Sequence, residues 1–210
     1  MPRSPEPARR QLLDAALELF ARDGIAGVSL REIGIAARQR NTSALHYHFG
    51  SKEGVLRALL QRELPSVVER RRTLLAEAGD DGDLRAIARA IVLPFAELAT
   101  GTPHERAFVR VLAHLHGDVS FTLEEITDLA GDTAMGATMT LVRAGLRDVS
   151  EEVVQERMAV AMSGFLYAAA IRAQGGRRTD LISDDVFREN LVDMFHGALT
   201  APVGSLRLAP

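Results

Sequence analysis

The 210-residue chain contains no cysteine, which excludes disulfides, thiolate metal sites and cysteine nucleophiles. No apolar run approaches the roughly 18 residues that a membrane-crossing helix needs, so no membrane partner is expected. The opening MPRSPEPARRQ lacks the apolar centre of a secretory leader, and a cytoplasmic location is expected. There is no His-Glu-x-x-His, no Gly-x-x-x-x-Gly-Lys-Ser/Thr and no Gly-x-Ser-x-Gly, so zinc-protease, phosphate-loop and nucleophile-elbow chemistry lack their residues. His114 and His116, two apart on one helix, face different sides and do not share a metal. Neither an enzyme, a metal nor a cofactor is expected.

Alternating strand patterns are also missing, and what remains is helical. A length of 210 residues and a hydrophobic fraction of 47% suit one or two soluble domains with a sizeable core. The net charge of -3 conceals an asymmetry. Residues 1–72 carry 13 Lys and Arg against 8 Asp and Glu, leaving 12 against 20 in the remainder. A basic end that meets a polyanion and an acidic body that does not would produce such a split.

The apolar spacing predicts an all-α protein of about nine helices. Leu13, Ala16, Leu17 and Phe20 recur at the helical interval, with Pro7 in a first turn and Gly24 at a left-handed stop. Ser29 and Glu32 form a Ser-x-x-Glu capping box for a second helix, ending near Ala37. Asn41 or Thr42 would cap a short third helix ending near Tyr47. Ser51 would cap a long fourth to about Ala78, with a kink at Pro65. GDDGD at 79–83 is the clearest break. Further helices are expected near 84–99 (with Pro94 inside), 103–116, 122–146, 151–174 and 184–200. Thr102-Pro103-x-Glu105 and Thr122-x-x-Glu125 are capping signals for two of them.

Two short helices joined by about four residues have the dimensions of a helix-turn-helix, whose second helix enters the major groove N-terminus first. Asn41, Thr42 and Ser43 would present amide and hydroxyl groups there, and Ala44 a methyl contact for thymine. Arg40 could fork onto a guanine or a phosphate. Positioning contacts to phosphate are expected from Ser29, Arg31, Tyr47, His48 and Lys52, the chain's only lysine. Asn41 as a simple cap, His48 as a packing group and Lys52 as a solvated charge remain open alternatives.

The stretches LLDAALELFARDGIAGVSLREIG and SALHYHFGSKEGVLRAL resemble the tetracycline-repressor-like (TetR) family of bacterial transcription regulators over about residues 8–60. Leu45, His48, Phe49, Lys52, Glu53 and Val55-Leu56 keep the family's Leu-Tyr-x-His-Phe-x-x-Lys-Glu-x-Leu ending. The sequence departs where His46 stands for the usual Tyr, with Tyr47 beside it. It departs again where Arg38-Gln39-Arg40-Asn41 replaces the usual Ala-Gly-Val-Ser turn, so that the turn must tolerate a side chain at Gln39 and the added arginines Arg38 and Arg40 should strengthen phosphate contact. The resemblance implies a helix-turn-helix domain over 1–50 and a helical effector-binding and dimerisation domain over 51–200, with 201–210 a frayed tail.

Residue patterns support the dimer independently, because VVQERMAVAMSGFLYAAAIRA is apolar nearly all round. Met162, Phe165, Leu166 and Ala169 there, with Phe187, Leu191, Met194 and Phe195 on the last helix, are the expected interface residues of a homodimer. Phe95, Phe108, Leu112, Met135, Met139 and Phe165 are candidates for a mostly apolar pocket, although such residues at helical spacing equally build a core. The expected activity is that of a regulator, in the family's usual mode a repressor. It would hold a palindromic double-stranded DNA operator as a homodimer and be released by a small-molecule effector. A helical interaction module, or a DNA-binding regulator without an effector, is the competing expectation.

Overall fold

The computed structural model describes residues 5–38, 47–79, 83–117, 133–175 and 181–202. Eight helices and no strand occur among them: α1 (Pro5–Asp23), α2 (Leu30–Ala36), α3 (Lys52–Ala78), α4 (Leu84–Ala99), α5 (Pro103–His116), α6 (Thr133–Gly145), α7 (Glu151–Gln174) and α8 (Asp184–Thr200). Tyr47, His48 and Phe49 are also helical. The all-α class is as the spacing required. The expected start of a third helix at Asn41 or Thr42, and the Thr122/Glu125 box, lie outside the described residues. Of the expected tail, only Ala201 and Pro202 are described.

Local signals set the helix ends. Ser29 accepts from the Glu32 amide while the Glu32 carboxylate accepts from the Ser29 amide, a reciprocal box at α2. Thr102 and Glu105 do the same at α5, with Pro103 at its first position. Ser51, Asp83 and Ser183 cap α3, α4 and α8. Each such cap is worth about 0.5–2 kcal/mol against alanine. Gly24 leaves α1 with φ at +75° and Gly79 leaves α3 at +69°, conformations that cost glycine nothing. α3 continues past Pro65 and α4 past Pro94.

One hydrophobic core joins the N-terminal helices to the body. Leu12, Leu13, Ala16, Leu17 and Phe20 of α1 pack in the same cluster as Val55, Leu56 and Leu59 of α3 and Phe108, Val109 and Leu112 of α5. The first two turns of α3 therefore share their core with α1. α5 packs on α1 and α7, and α8 packs on α4 and α7. Ion pairs fasten these contacts: Arg62 to Asp14 at 2.7 Å ties α3 to α1, and Arg70 to Glu97 at 2.9 Å ties α3 to α4. No described helix is long and apolar enough to cross a membrane.

Candidate functional site

The turn between α1 and α2 is held from a distance. Lys52 Nζ donates to the carbonyl of Ile25 at 2.9 Å and to that of Ala26 at 3.3 Å. Those two carbonyls follow the end of α1, so the ammonium clamps the turn against the first residue of α3. Two of its three N–H groups are used among the described residues.

At the N-terminus of α2 the Ser29 hydroxyl is also committed, donating to Glu32 Oε2 at 2.7 Å. These bonds hold the Glu32 carboxyl below its usual range, first through the Ser29 side chain and then through its backbone amide. The sequence expectation of an anion beside Ser29 thus meets a resident carboxylate. Arg31, two residues on in the same first turn, is exposed.

Arg38 follows α2 with φ at +53° and is exposed. A non-glycine residue there costs roughly 1–2 kcal/mol. The left-handed step at Arg38 opens the turn; Gln39, where a side chain was expected in place of the usual glycine, lies outside the described residues. Arg40, Asn41, Thr42, Ser43, Ala44 and His46 lie outside the described residues.

Beyond them, Tyr47 is 85% exposed, an unusual position for a large ring. His48 and Phe49 are half-buried; the Tyr47 and His48 ring centres are 5.3 Å apart, edge to face. Arg9 of α1 lies over the Phe49 ring at 5.5 Å, an attraction between cation and ring quadrupole. Two contributors were not singled out from the sequence. Arg9 is one. Gly54 is the other: a Cβ on it would overlap the Phe49 carbonyl oxygen, so glycine lets the segment after Phe49 close onto α3.

The body residues sort differently from expectation. Phe95, Phe108, Leu112, Met135 and Phe165 are buried, and Met139 is partly so. Phe165 lies between Phe95 and Phe195, at ring separations of 5.9 and 5.7 Å. Of the expected interface residues, Met162, Phe165, Leu166, Ala169, Phe187, Leu191 and Phe195 are buried inside their own protomer, and only Met194 faces outward. The outward apolar groups on α7 and α8 are Val160, Tyr167, Val186 and Met194, accompanied by exposed Ser163, Gly164 and Gly197. An all-round apolar helix gave no sign of which side faced inward. Among the described residues, no group of three or more His, Asp or Glu side chains could hold a metal.

The described residues are all helical or connecting, with α1, α2 and the start of α3 sharing a core with a larger helical body, and this arrangement defines the class. Residues 12–59 match the bacterial regulatory proteins of the tetR family. Solved structures extend the likeness to the whole fold. One described as a tetR family transcription regulator from Shewanella sp. PV-4 is 23% identical, with a TM-score of 0.61 over 91% of this chain and 97% of that one. A TetR-like transcriptional regulator from Rhodococcus sp. RHA1 is 22% identical, with a TM-score of 0.56 over 96% and 100%. The fatty acid degradation regulator FadR from Bacillus halodurans is 18% identical, with a TM-score of 0.54 over 93% and 96%. No protein of curated function matches the chain. Residues 12–59 are thus similar to the N-terminal domain of tetR-family regulatory proteins, and the chain shares the fold of TetR-type regulators over nine-tenths of its length. That family consists of transcription regulators, and no enzyme family is indicated.

Proposed function

We propose that the chain is a homodimeric, effector-responsive repressor of transcription that holds a palindromic DNA operator. The observation carrying this reading is the end of the family-matched domain, where Arg31, Arg38 and Tyr47 are all exposed around the segment from Gln39 to His46. Asn41, Thr42, Ser43 and Ala44 are the proposed base readers, with Arg40 on a guanine or phosphate. Arg31, Arg38, Tyr47, His48 and Lys52 position the domain on phosphates. The Ser29 hydroxyl is occupied by its cap and contributes least.

One reading helix covers too few base pairs for useful specificity. Two copies joined through the outward faces of α7 and α8 would address half-sites about 34–36 Å apart or more. Bound over a promoter, such a dimer would obstruct transcription. An effector would act by favouring a dimer whose two domains no longer match successive grooves. For the cluster of Phe95, Phe108 and Phe165 to receive it, those packed rings would have to part.

Selection of bound fragments from random DNA tests the reading, with an inverted repeat as the expected result. Arg40→Ala should weaken binding to the selected site, and affinity should fall steeply with salt through counterion release. A basic end that serves a protein or another anionic surface would give no enriched sequence and no effect of Arg40→Ala on DNA affinity.

A further inference from the structure

A cleft of about 870 Å³ lies between α1 and the first half of α5, with Ala173 of α7 also lining it. Small-molecule sites run from roughly 300 to 1,000 Å³, so the space is adequate. None of its lining residues belongs to the Phe95, Phe108 and Phe165 group, and it is lined by both the N-terminal helix and the body.

Its charged groups differ in how far they are satisfied. On the α1 side, Asp14 is paired with Arg62 at 2.7 Å, and Arg22 with Asp23 at 2.7 Å. On the α5 side, His104 meets Glu63 at 3.0 Å. Three groups remain: Glu18, exposed on α1, and Arg106 and Arg110, one turn apart on α5. Arg106 spends its Nε on the carbonyl of Gly101 at 2.8 Å. Arg110 Nε is shielded from solvent and meets no acceptor. Neither guanidinium has a carboxylate partner among the described residues, whereas the carboxylate of Asp14 is already neutralised. Two guanidiniums against one unpaired carboxylate, the exposed Glu18, leave the cleft with an excess of donors among the described residues.

A guanidinium presents parallel N–H groups that match a carboxylate in a bidentate fork. Around the two arginines stand Leu17, Pro103, Ala107 and Ala173, which suit an apolar body behind an anionic head. We infer that this cleft is a binding site for a small organic carboxylate, held by Arg106 and Arg110. The inference deepens the effector part of the proposed function and rests on it only for the regulatory consequence. A ligand wedged between α1 and α5 contacts both domains at once, so its affinity depends on how they are set against each other, and by linkage it biases that setting.

Calorimetry and thermal unfolding on the full chain test it, using benzoate and octanoate against their neutral amides, benzamide and octanamide. At least one carboxylate should bind and raise Tm, with its amide weaker by about tenfold or more. Arg106→Met and Arg110→Met keep most of the apolar stem and should each weaken carboxylate binding by at least about tenfold. Glu18→Gln, on the exposed side, should tighten it. Saturating carboxylate should change operator affinity in the wild type but not in Arg110→Met. Equal binding of acid and amide, undiminished binding by the Arg106→Met/Arg110→Met double variant, or no binding of either carboxylate to the wild type overturns the inference. Failure of the regulator reading would look different: the ligand-free protein would select no DNA, while the calorimetric result would stand by itself.

Discussion

The Lys52 ammonium lies 2.9 Å from the carbonyl oxygen of Ile25, 27 residues earlier in the chain. This bond fixes the turn between α1 and α2 to the start of α3, and with it the angle at which α2 leaves the platform. Lys52→Met keeps the stem and removes the three donors. Hydrogen bonds to charged groups contribute roughly 1.5–3 kcal/mol. For a half-buried ammonium we expect a loss of about 1–2 kcal/mol, or roughly 2–8 °C in Tm. If the remaining proton serves a phosphate, the slope of log affinity against log salt should also fall by about 0.9. Unchanged stability in denaturant titrations would show that the clamp contributes nothing.

Arg38 should show effects of opposite sign on stability and binding. Its φ of +53° is strained for a side chain and free for glycine, while glycine adds entropy to the unfolded chain. Arg38→Gly should therefore leave stability unchanged or raise it by up to about 1 kcal/mol. The same variant loses a positive charge beside the reading segment. DNA affinity should drop, and the salt slope should fall by about one phosphate's worth. A variant that binds DNA as well as the parent would remove Arg38 from the interface.

The features that could be read in the sequence are those decided within a few residues. Ser29 and Glu32 stand three apart, as do Thr102 and Glu105, and both boxes form where the spacing placed them. The α1 stripe through Leu13, Leu17 and Phe20 faces the core for the same reason. What escaped depends on distant partners. Nothing local announces that Lys52 will reach Ile25 or that Arg9 will cover Phe49. On α7 the period itself was uninformative, because apolar residues surround the helix. Only packing against α4, α5 and α8 decides that Phe165 turns inward and Tyr167 outward.

Stability should fall as the medium becomes acidic, starting with one histidine. His116 is half-buried at the end of α5, and desolvation holds its ring below the ordinary value of 6.5. Between its folded and unfolded values the unfolded chain binds the extra proton. Stability is therefore fully present above 6.5 and is lost as pH falls through the folded value. Glu32 and Glu105, both held below the ordinary 4.5 by their capping partners, extend the loss at more acidic pH. Urea midpoints measured from pH 7.5 downward should decline in the wild type and less in His116→Gln. Parallel curves would mean that the ring is solvated.

Gly164 and Gly197 provide the sharpest test of the assembly. Both lie inside helices, where glycine costs about 1 kcal/mol relative to alanine, and neither position is crowded: a Cβ at either would meet nothing within 4 Å. The protomer alone gives no reason for glycine at either site. A partner approaching the face that carries Val160, Tyr167 and Met194 does, since close helix contact needs small residues between the large ones. Gly164→Leu and Gly197→Leu should fold with unchanged helicity and sediment as monomers, and their affinity for a two-half-site operator should collapse. Gly136→Leu on α6, equally open in the protomer, should remain dimeric. If the first two variants stay dimeric while helicity is intact, the outward face of α7 and α8 is not where two copies meet, and the fixed spacing between reading segments must come from elsewhere.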